Sequence, residues 1–341
     1  MQSDSQGAPV DQFKAFRIHQ QDRQIVAGFE QMTLDQLTEG DVVVRVAWSD
    51  INYKDALAAT GKGRILRKYP LNGGIDFSGT VISSSDARYG EGDEVLVCGA
   101  QLSEIYDGGY SEVARVPGDA IVPLPAGLSL RDAMAIGTAG FTAAIAVCRM
   151  EDNGQLPERG PIVVTGATGG VGSFAIALLA GLGYEVLAFT GKTDQEDYLR
   201  SLGASGLIDR NSIDMGSKPL EAAQWGGAVD NVGGDTLGWL TRTVAPWGNI
   251  ASVGLAGGFK LETTVMPFIL RGVSLLGINS IEMPAEVRDR AWQRLGGDLK
   301  PRHLDTIASR SIDFDELPGA FDDYVQAKVT GRTVVRIGAE A

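Results

Sequence analysis

The sequence predicts an α/β protein with two domains: a β-rich N-terminal domain, built as a partly open barrel, and a doubly wound nucleotide-binding domain. Two observations lead to this fold. Several short apolar runs separated by glycine turns come first, and a strand–glycine turn–helix–strand pattern follows from residue 161 onward. A chain of 341 residues with 44% hydrophobic content is long enough to bury a core in each of two domains.

A βαβ unit of the kind that binds dinucleotides is predicted over residues 161–192. The β-branched run at residues 162–165 is followed by a glycine-rich turn, a helical pattern at 173–183 and a second apolar run at 185–189. In such a unit the pyrophosphate binds at the N-terminus of the helix, where backbone N–H groups are unpaired.

The glycines of this turn have separate roles. Gly166 permits the tight turn, Gly169 and Gly170 let a phosphate approach bare backbone, and Gly172 lets the helix pack close to the strand. The spacing is G-x-x-G-G-x-G, so the glycines alone are also compatible with an ordinary turn in another α/β protein. The flanking strand–helix–strand context favours the dinucleotide site.

The end of the second strand predicts which dinucleotide binds. An NAD site places Asp or Glu there to hold the ribose 2′-hydroxyl, but this chain has Thr190, Gly191 and Lys192. A hydroxyl, a backbone amide and an ammonium group are suited to a 2′-phosphate. The residues therefore favour NADPH, although acids follow at Asp194 and Glu196, where a helix N-terminus attracts them.

Charge and composition exclude several classes of function. A net charge of −13 argues against nucleic-acid binding, because phosphate attracts the opposite sign. The sequence shows no run of about 18 apolar residues, which predicts no membrane span. Residues 1–12 are polar, which predicts a flexible tail and no secretory signal, and two cysteines give no disulfide framework, which predicts a cytoplasmic protein.

The order of elements predicts where the domains divide. Short strands are expected at residues 13–18, 41–48, 73–81, 94–97 and 113–116, and helices at 130–136 and 138–147. After the glycine turn, strands are expected at 206–209, 227–232, 248–254 and 274–278, then a helix at 284–295 and a final strand at 331–337. We assign residues 13–137 and 279–341 to the first domain and 138–278 to the nucleotide-binding domain.

The order of these parts resembles the medium-chain dehydrogenase/reductase superfamily. The resemblance is closer to its acryloyl-CoA reductase group, whose members are also described as quinone-oxidoreductase-like. The segments that carry it span almost the whole chain from Phe13 onward: INYKDALAATGKGRILRKYPLNGGIDFSGTV, GGYSEVARVP, VTGATGGVGS, LRSLGAS, VDNVGG, VMPFILRGVSLLGINS and GRTVV. The resemblance implies a GroES-like catalytic domain, a Rossmann NADPH-binding domain and a homodimer formed through an edge strand of the sheet.

The resemblance and the glycine pattern together imply a set of cofactor-binding residues. They are Tyr53, Gly166, Thr168, Gly169, Gly170, Val171, Thr190, Gly191, Lys192, Asn231, Val253, Gly254, Ile278 and Arg332. Several of them follow predicted strands, and ligands of doubly wound sheets lie beyond the carboxyl ends of the strands.

No metal site is predicted. Zinc members of the superfamily place a Cys after the second long strand and a His in a later strand, where this chain has Asn52 and the run Gly74-Ile75-Asp76. The four-cysteine structural loop of those members is also missing. The two histidines, His19 and His303, are too few to complete a tetrahedral site of nitrogen and sulfur ligands.

Without a Lewis acid, the substrate is polarised by hydrogen-bond donors, which suits an activated alkene better than an alcohol. Tyr53 offers a phenol beside the nicotinamide, and Asn52 offers an amide that also suits a local turn. Arg332 lies in a segment that returns toward the cofactor in related enzymes, so the resemblance implies that it could hold a phosphate or the substrate carbonyl. A packing role is the alternative for all three.

A basic segment predicts the substrate class. Lys54, Lys62, Arg64, Arg67 and Lys68 stand against one acid in a strongly acidic chain. Basic side chains on a loop can bind the phosphates of coenzyme A, whereas a quinone offers them nothing. The alternative is a solvated face whose charges pair with acids elsewhere in the fold.

The sequence therefore predicts NADPH-dependent reduction of an activated C=C bond, with acryloyl-CoA reduced to propionyl-CoA. The first alternative is a quinone or enone reductase that uses the same hydride. The second is a non-catalytic NADPH-binding protein. A methyltransferase is less favoured, because such sites place an acid where this chain has Gly191 and Lys192.

Overall fold

The computed structural model describes residues 12–338. The chain divides into two compact units. The first comprises the residues up to Thr138 together with those from Ala308 onward, and the second comprises Ala139–Ile307. The predicted tail lies outside the described residues except for Gln12.

The described elements up to the glycine turn belong mostly to the first unit. They are β1 (Phe13–Gln21), β2 (Gln24–Met32), β3 (Val42–Asp50), α1 (Tyr53–Thr60), β4 (Leu71–Asn72), β5 (Asp76–Ser84), β6 (Glu94–Cys98), β7 (Val113–Val116), β8 (Val122–Pro123) and α2 (Leu130–Asp152).

The second unit and the return to the first follow. Their elements are β9 (Ile162–Thr165), α3 (Gly170–Gly181), β10 (Val186–Thr190), α4 (Glu196–Ser201), β11 (Gly206–Asp209), β12 (Trp225–Asp230), α5 (Gly234–Thr243), β13 (Val244–Ser252), α6 (Met266–Arg271), β14 (Ser274–Gly277), α7 (Ala285–Gly296), α8 (Leu304–Ile307), β15 (Arg310–Asp313), α9 (Leu317–Val325) and β16 (Thr333–Arg336).

The first unit is built on a sheet with the strand order β15-β16-β3-β5-β6-β8, with β7 also paired to β3. All of these pairs are antiparallel except β15–β16. In β3 the valines 42, 44 and 46 are buried while Arg45 is exposed, which is the alternation of a strand with one face on the core. A smaller sheet, β2-β1-β4, completes the β-rich domain that the sequence predicts.

The second unit contains a six-stranded parallel sheet with the order β11-β10-β9-β12-β13-β14. The order runs outward in both directions from β9, the strand that precedes the glycine turn. Such an order creates a crevice at the carboxyl ends of the central strands. The predicted doubly wound domain is confirmed.

The boundary between the units differs from the predicted one at the C-terminal side. The sequence analysis placed residues 279–307 in the catalytic domain, but the structure groups them with the second unit. The reason is the packing of α7. The Trp292 ring stacks on Phe141 with centroids 5.4 Å apart, and Arg294 forms an ion pair with Glu151 on α2.

Helix α2 is interrupted at Gly137, where φ is 49° and ψ is −162°. A Cβ at this position would lie 2.0 Å from Asp50 Oδ2 and 2.4 Å from Arg332 Nη2, so only glycine fits. The sequence predicts this division into two helices. Among the described residues α2 is long and apolar enough to cross a membrane, but 89% of its apolar window is buried within the protein, as expected of a core helix.

Candidate active site

The N-terminus of α3 in the second unit presents backbone N–H groups that could bind a phosphate group. Helix α3 begins after Gly169 without a side-chain cap, so its first backbone N–H groups are available. Gly166 has φ 58°, and its carbonyl oxygen accepts a hydrogen bond from the N–H of Gly169 at 3.0 Å. A Cβ on Gly172 would lie 2.4 Å from that same oxygen. Gly166 and Gly172 thus have the tight-turn and close-packing roles that the sequence predicts for them.

Asn231 leaves a hydrogen-bond acceptor at the carboxyl end of β12. Its side-chain Nδ2 donates to the carbonyl oxygen of Thr165 at 2.7 Å, and its backbone N–H donates to Thr165 Oγ1 at 2.9 Å. Asn231 Oδ1 is buried and has no hydrogen-bond partner among the residues that the structure describes. A buried acceptor is costly when unpaired, so this atom fits a hydroxyl of a bound dinucleotide ribose.

The remaining cofactor candidates of the second unit lie at the same edge of the sheet. The N–H of Val253 donates to the carbonyl oxygen of Asp230 at 2.8 Å, and that of Ile278 donates to Ser252 at 3.0 Å. A Cβ on Gly254 would lie 2.4 Å from the carbonyl oxygen of Asn231, so the chain passes close to this residue. The arrangement agrees with a crevice beyond the strand ends.

Lys192 follows the end of β10 directly. Its backbone N–H donates to Thr190 Oγ1 at 3.0 Å, which fixes the turn through Gly191. Partial burial lowers the pKa of the Lys192 ammonium group, although Asp194 opposes that shift. The turn therefore carries a partly desolvated cation at the point where the sequence analysis places the 2′-phosphate.

In the first unit, Arg332 and Asp50 form a buried ion pair. The guanidinium of Arg332 is 3% exposed, and its Nη2 lies 2.6 Å from Asp50 Oδ2. Its Nη1 donates to Asn52 Oδ1 at 2.9 Å and to the carbonyl oxygen of Ile51 at 3.2 Å. These four residues come from the end of β3, the loop that follows it and the segment before β16.

Asn52 links this ion pair to a second carboxylate. Its Nδ2 donates to Asp50 Oδ1 at 2.7 Å and to Asp76 Oδ2 at 2.9 Å. Asp76 also accepts the backbone N–H of Thr138 at 2.7 Å and the Thr138 hydroxyl at 2.5 Å, so it caps the second half of α2. We call Asp50, Asn52, Asp76, Thr138 and Arg332 the buried network.

The structure thus brings two of the sequence-predicted catalytic residues together, but inside the protein. The side chains of Asn52 and Arg332 form their hydrogen bonds within the buried network and with the backbone around it. We infer that both act as positioning residues. The sequence analysis did not identify Asp50 or Thr138 as members of this network, because their role depends on contacts between distant segments.

Tyr53 is the network's exposed neighbour. It is the first residue of α1, and 53% of its surface is exposed. Asn52 precedes it as the N-cap, and Asp55 accepts the Asn52 backbone N–H at 2.8 Å, which is part of a capping box at the start of α1. The buried network therefore fixes the residue directly before Tyr53 and leaves the phenol on the surface.

Three carboxyl groups, those of Asp50, Asp55 and Asp76, are buried in this region. Burial raises the pKa of Asp50, and the neighbouring Arg332 opposes that rise. Burial, with the charge of Asp76, raises the pKa of Asp55 to about 7, although two backbone N–H groups donate to it. In the described part of the chain, no group of three or more His, Cys, Asp and Glu side chains is arranged to hold a metal ion.

The basic segment is only partly paired with acids. Glu104 is buried and forms ion pairs with Lys54 and with Arg67, the latter at 3.3 Å. Lys62 lies 3.8 Å from Asp322. No ion pair of Arg64 or Lys68 occurs among the described residues. A cleft of about 400 Å³ is lined by Lys54, Arg64, Ile65, Leu66, Arg67 and Glu104.

Comparisons with known proteins agree with both units. Residues 38–126 match the family of alcohol dehydrogenase GroES-like domains, and residues 170–296 match the zinc-binding dehydrogenase family. YhfP of Bacillus subtilis, named as a quinone oxidoreductase, is 47% identical over 326 residues, 95% of this chain and 99% of that protein. The chain belongs to the zinc-free, quinone-oxidoreductase-like branch of the medium-chain dehydrogenases/reductases.

Two further relatives bear on function. Acrylyl-CoA reductase AcuI of Ruegeria pomeroyi is 48% identical over 314 residues, 92% of this chain and 95% of that protein. The crystal structure of the yhdH oxidoreductase from Salmonella enterica in complex with NADP superposes with a TM-score of 0.92 at 47% identity, covering 95% of this chain and all of that one. The YhfP structure, solved with NAD bound, gives a TM-score of 0.93.

The raised pKa of Asp55 predicts how stability depends on pH. The folded state holds this proton more tightly than the unfolded state, whose carboxyl has a pKa near 3.8. The contribution of Asp55 to stability is therefore largest below the unfolded pKa and is lost as the pH rises toward about 7. Relative to Asp55→Asn, the wild-type free energy of unfolding should fall by about 2–3 kcal/mol between pH 5 and pH 8.

Urea unfolding at pH 5, 6, 7 and 8 measures this difference. Asp235→Asn serves as the control, because Asp235 is an exposed acid in the first turn of α5. For the control, the difference in the free energy of unfolding from wild type should stay constant with pH. If the difference between wild type and Asp55→Asn also stays constant, Asp55 is ionised at all four pH values.

Proposed function

We propose that this protein is an NADPH-dependent reductase of activated C=C bonds and that it converts acryloyl-CoA into propionyl-CoA. The observation that supports a coenzyme A thioester as the substrate is the cleft lined by Lys54, Arg64 and Arg67. With Glu104 as its one acid, the cleft has a net positive charge in a chain of net charge −13. Such a cleft suits the phosphates of coenzyme A.

The cofactor is NADPH. The second unit fits it at three points: the uncapped N-terminus of α3 for the pyrophosphate, the unpartnered Asn231 Oδ1 for a ribose hydroxyl, and Lys192 for the 2′-phosphate. No carboxylate occupies the end of β10, where an NAD site places one. The Salmonella relative was solved with NADP.

When bound, NADPH supplies the hydride that adds to the β-carbon of the acryloyl group. Electron density then moves onto the thioester oxygen, and a proton is added at the α-carbon. The protein's task is to stabilise the negative oxygen and to deliver the proton. We assign the first role to a hydrogen bond from the Tyr53 phenol, held at the start of α1 by the buried network.

The buried network holds the start of α1 in place. Arg332 is a fixed cation with three neighbouring acceptors, and Asn52 donates to two carboxylates at once. Removing either partner of a buried ion pair leaves the other charge uncompensated. The start of α1 is therefore held rigidly, and preorganisation of this kind lowers the cost of binding the transition state.

Two observations keep a quinone or enone reductase as the second candidate. Lys54, Lys62 and Arg67 each pair with an acid, so part of the basic segment is a solvated, paired face. The relative YhfP is named as a quinone oxidoreductase. A non-catalytic NADPH-binding protein is the third candidate, and it differs from both in oxidising no cofactor.

The acceptor test distinguishes these candidates. We expect purified protein to oxidise NADPH rapidly with acryloyl-CoA and slowly with benzoquinone, followed by absorbance of the reduced nicotinamide. Arg64→Ala should raise KM for acryloyl-CoA about 10-fold with little change in kcat, because a charged hydrogen bond in binding is lost. Arg310→Ala, on an exposed surface of the same unit, is the control.

Other outcomes have definite meanings. Fast oxidation with benzoquinone and none with the thioester would make this a quinone reductase. NADPH binding without oxidation by either acceptor would favour the non-catalytic alternative.

Tyr53→Phe tests the assigned hydrogen bond. The variant keeps the aromatic ring and α1 but removes the hydroxyl. We expect kcat to fall about 10²-fold to 10³-fold with acryloyl-CoA, as for other single donors to an oxyanion, while the Kd for NADPH stays unchanged. Unaltered steady-state turnover would mean that the hydroxyl neither donates to the substrate nor orients it.

We also propose that the chain forms a homodimer through the edge of its parallel sheet. Strand β14 pairs with β13 alone in the described structure, so one of its edges is open. Exposed apolar residues precede β14 in the chain: Trp247, Leu255, Phe259, Leu261, Val265, Met266, Ile269 and Leu270. A second copy related by a two-fold axis would continue the sheet and cover this surface.

Ile269→Glu should convert the dimer into a monomer, because it places a charge in a desolvated contact. Sedimentation equilibrium of the variant and of Leu156→Glu measures the effect. Leu156 is an exposed leucine of the same unit outside this surface, so its variant should remain dimeric. A wild-type protein that sediments as a monomer would refute the dimer.

The state of the two cysteines bears on where the protein works. Cys98 and Cys148 are free and buried. We propose that the protein works in the cytoplasm, where thiols stay reduced.

A further inference from the structure

We infer that Asp230 and Thr165 are positioning residues of the cofactor site, which fix the side-chain amide of Asn231 so that it accepts a hydrogen bond from the ribose next to the nicotinamide. The inference rests on the proposed NADPH cofactor and gives a role to two residues that the sequence analysis did not place in the site. Asp230 and Thr165 are both fully buried. They therefore act on the cofactor only through Asn231.

Strand register brings the two side chains together. Strands β9 and β12 are parallel neighbours, and their last paired residues directly precede Thr165 and Asp230. The Thr165 hydroxyl donates to Asp230 Oδ1 at 2.7 Å. Asp230 also accepts the backbone N–H groups of Val232, at 3.3 Å, and of Gly233, at 2.8 Å. One carboxylate thus holds both strand ends and the turn that follows β12.

The direction of these hydrogen bonds follows from the groups that form them. An ionised carboxylate only accepts, so the single hydroxyl proton of Thr165 points at Asp230 and the lone pairs of Oγ1 remain for a donor. The backbone N–H of Asn231 is such a donor, at 2.9 Å. Burial raises the pKa of Asp230, and its three hydrogen bonds oppose that rise because they favour the ionised form.

The backbone of Thr165 fixes which atom of the Asn231 amide is left for a ligand. Its carbonyl oxygen accepts from Asn231 Nδ2 at 2.7 Å. A reversed amide would place two acceptors against each other, since a carbonyl oxygen cannot donate. Asn231 Oδ1 is therefore held as the available acceptor, and it has no hydrogen-bond partner in the described part of the chain.

The order of the strands indicates which group of the cofactor meets this acceptor. Strand β9 lies between β10 and β12. In the proposed site the 2′-phosphate lies at the end of β10, and the pyrophosphate lies at the start of α3, which follows β9. The second ribose of the dinucleotide then lies on the β12 side, where its hydroxyl groups can donate to Asn231 Oδ1.

Isothermal titration calorimetry with NADPH and with adenosine 2′,5′-bisphosphate tests the inference without turnover, because only NADPH carries the second ribose. Thr165→Val keeps the shape of the side chain and removes the hydroxyl. It should raise the Kd for NADPH about 3-fold to 10-fold, as for one lost hydrogen bond, and change the Kd for the bisphosphate less than about twofold. Thr165→Ser should bind NADPH as the wild type does. Asp230→Asn should resemble Thr165→Val, because an amide nitrogen replaces one acceptor oxygen.

A double-mutant cycle measures whether Thr165 acts through Asn231. Asn231→Ala should weaken NADPH binding by a similar factor, and adding Thr165→Val to it should cause less than about twofold further loss. The same loss in both backgrounds would overturn the inference, because Thr165 would then act on the fold in general. Thr243→Val is the matched control with unchanged Kd values, since it removes a buried hydroxyl of the same unit that donates to Trp239 at 2.9 Å.

Equal losses for NADPH and the bisphosphate in Thr165→Val, or no loss for NADPH in either Thr165→Val or Asp230→Asn, would overturn the inference while the NADPH assignment stands. A wild-type protein that binds neither ligand would overturn both.

Discussion

The ion pair between Arg332 and Asp50 is the interaction on which the catalytic unit depends. Burying two charges is costly, and it is tolerated only when each is paired and hydrogen-bonded. Here Arg332 satisfies Asp50, Asn52 and the carbonyl oxygen of Ile51. A segment near the C-terminus is thereby tied to the end of β3 and the start of α1. The glycine break in α2 exists because no side chain fits above this pair.

The same network decides what the surface beside it can do. Asp76 caps the second half of α2 and accepts from Asn52, so three segments meet at one carboxylate. The fixed positive charge of the region is a guanidinium, whose donors are directed into the protein. In the function we propose, the substrate is polarised by a group outside the network, the exposed Tyr53. The rigid interior positions the exposed phenol, because the network holds the residue directly before Tyr53.

The nucleotide-binding unit follows a different principle, in which missing side chains create the site. Gly169, Gly172 and Gly254 lie where backbone approaches backbone. The polar groups around them are few and placed at strand ends: Asn231 Oδ1 and Lys192. Pockets that recognise a cofactor commonly combine a plain surface with a few fixed polar atoms, since these atoms determine orientation and selectivity.

Local patterns in the sequence were sufficient for the βαβ unit, the parallel strands and the break at residue 137, because glycine spacing and β-branched runs act through neighbouring residues. They missed β2, whose turn uses Asp22 and Arg23 at positive φ without the usual glycine. Tertiary structure alone decided that Arg332 meets Asn52, 280 positions away, and that Thr165 meets Asp230. It also decided that α7 belongs to the nucleotide unit. These contacts depend on strand order and register, which no local pattern encodes.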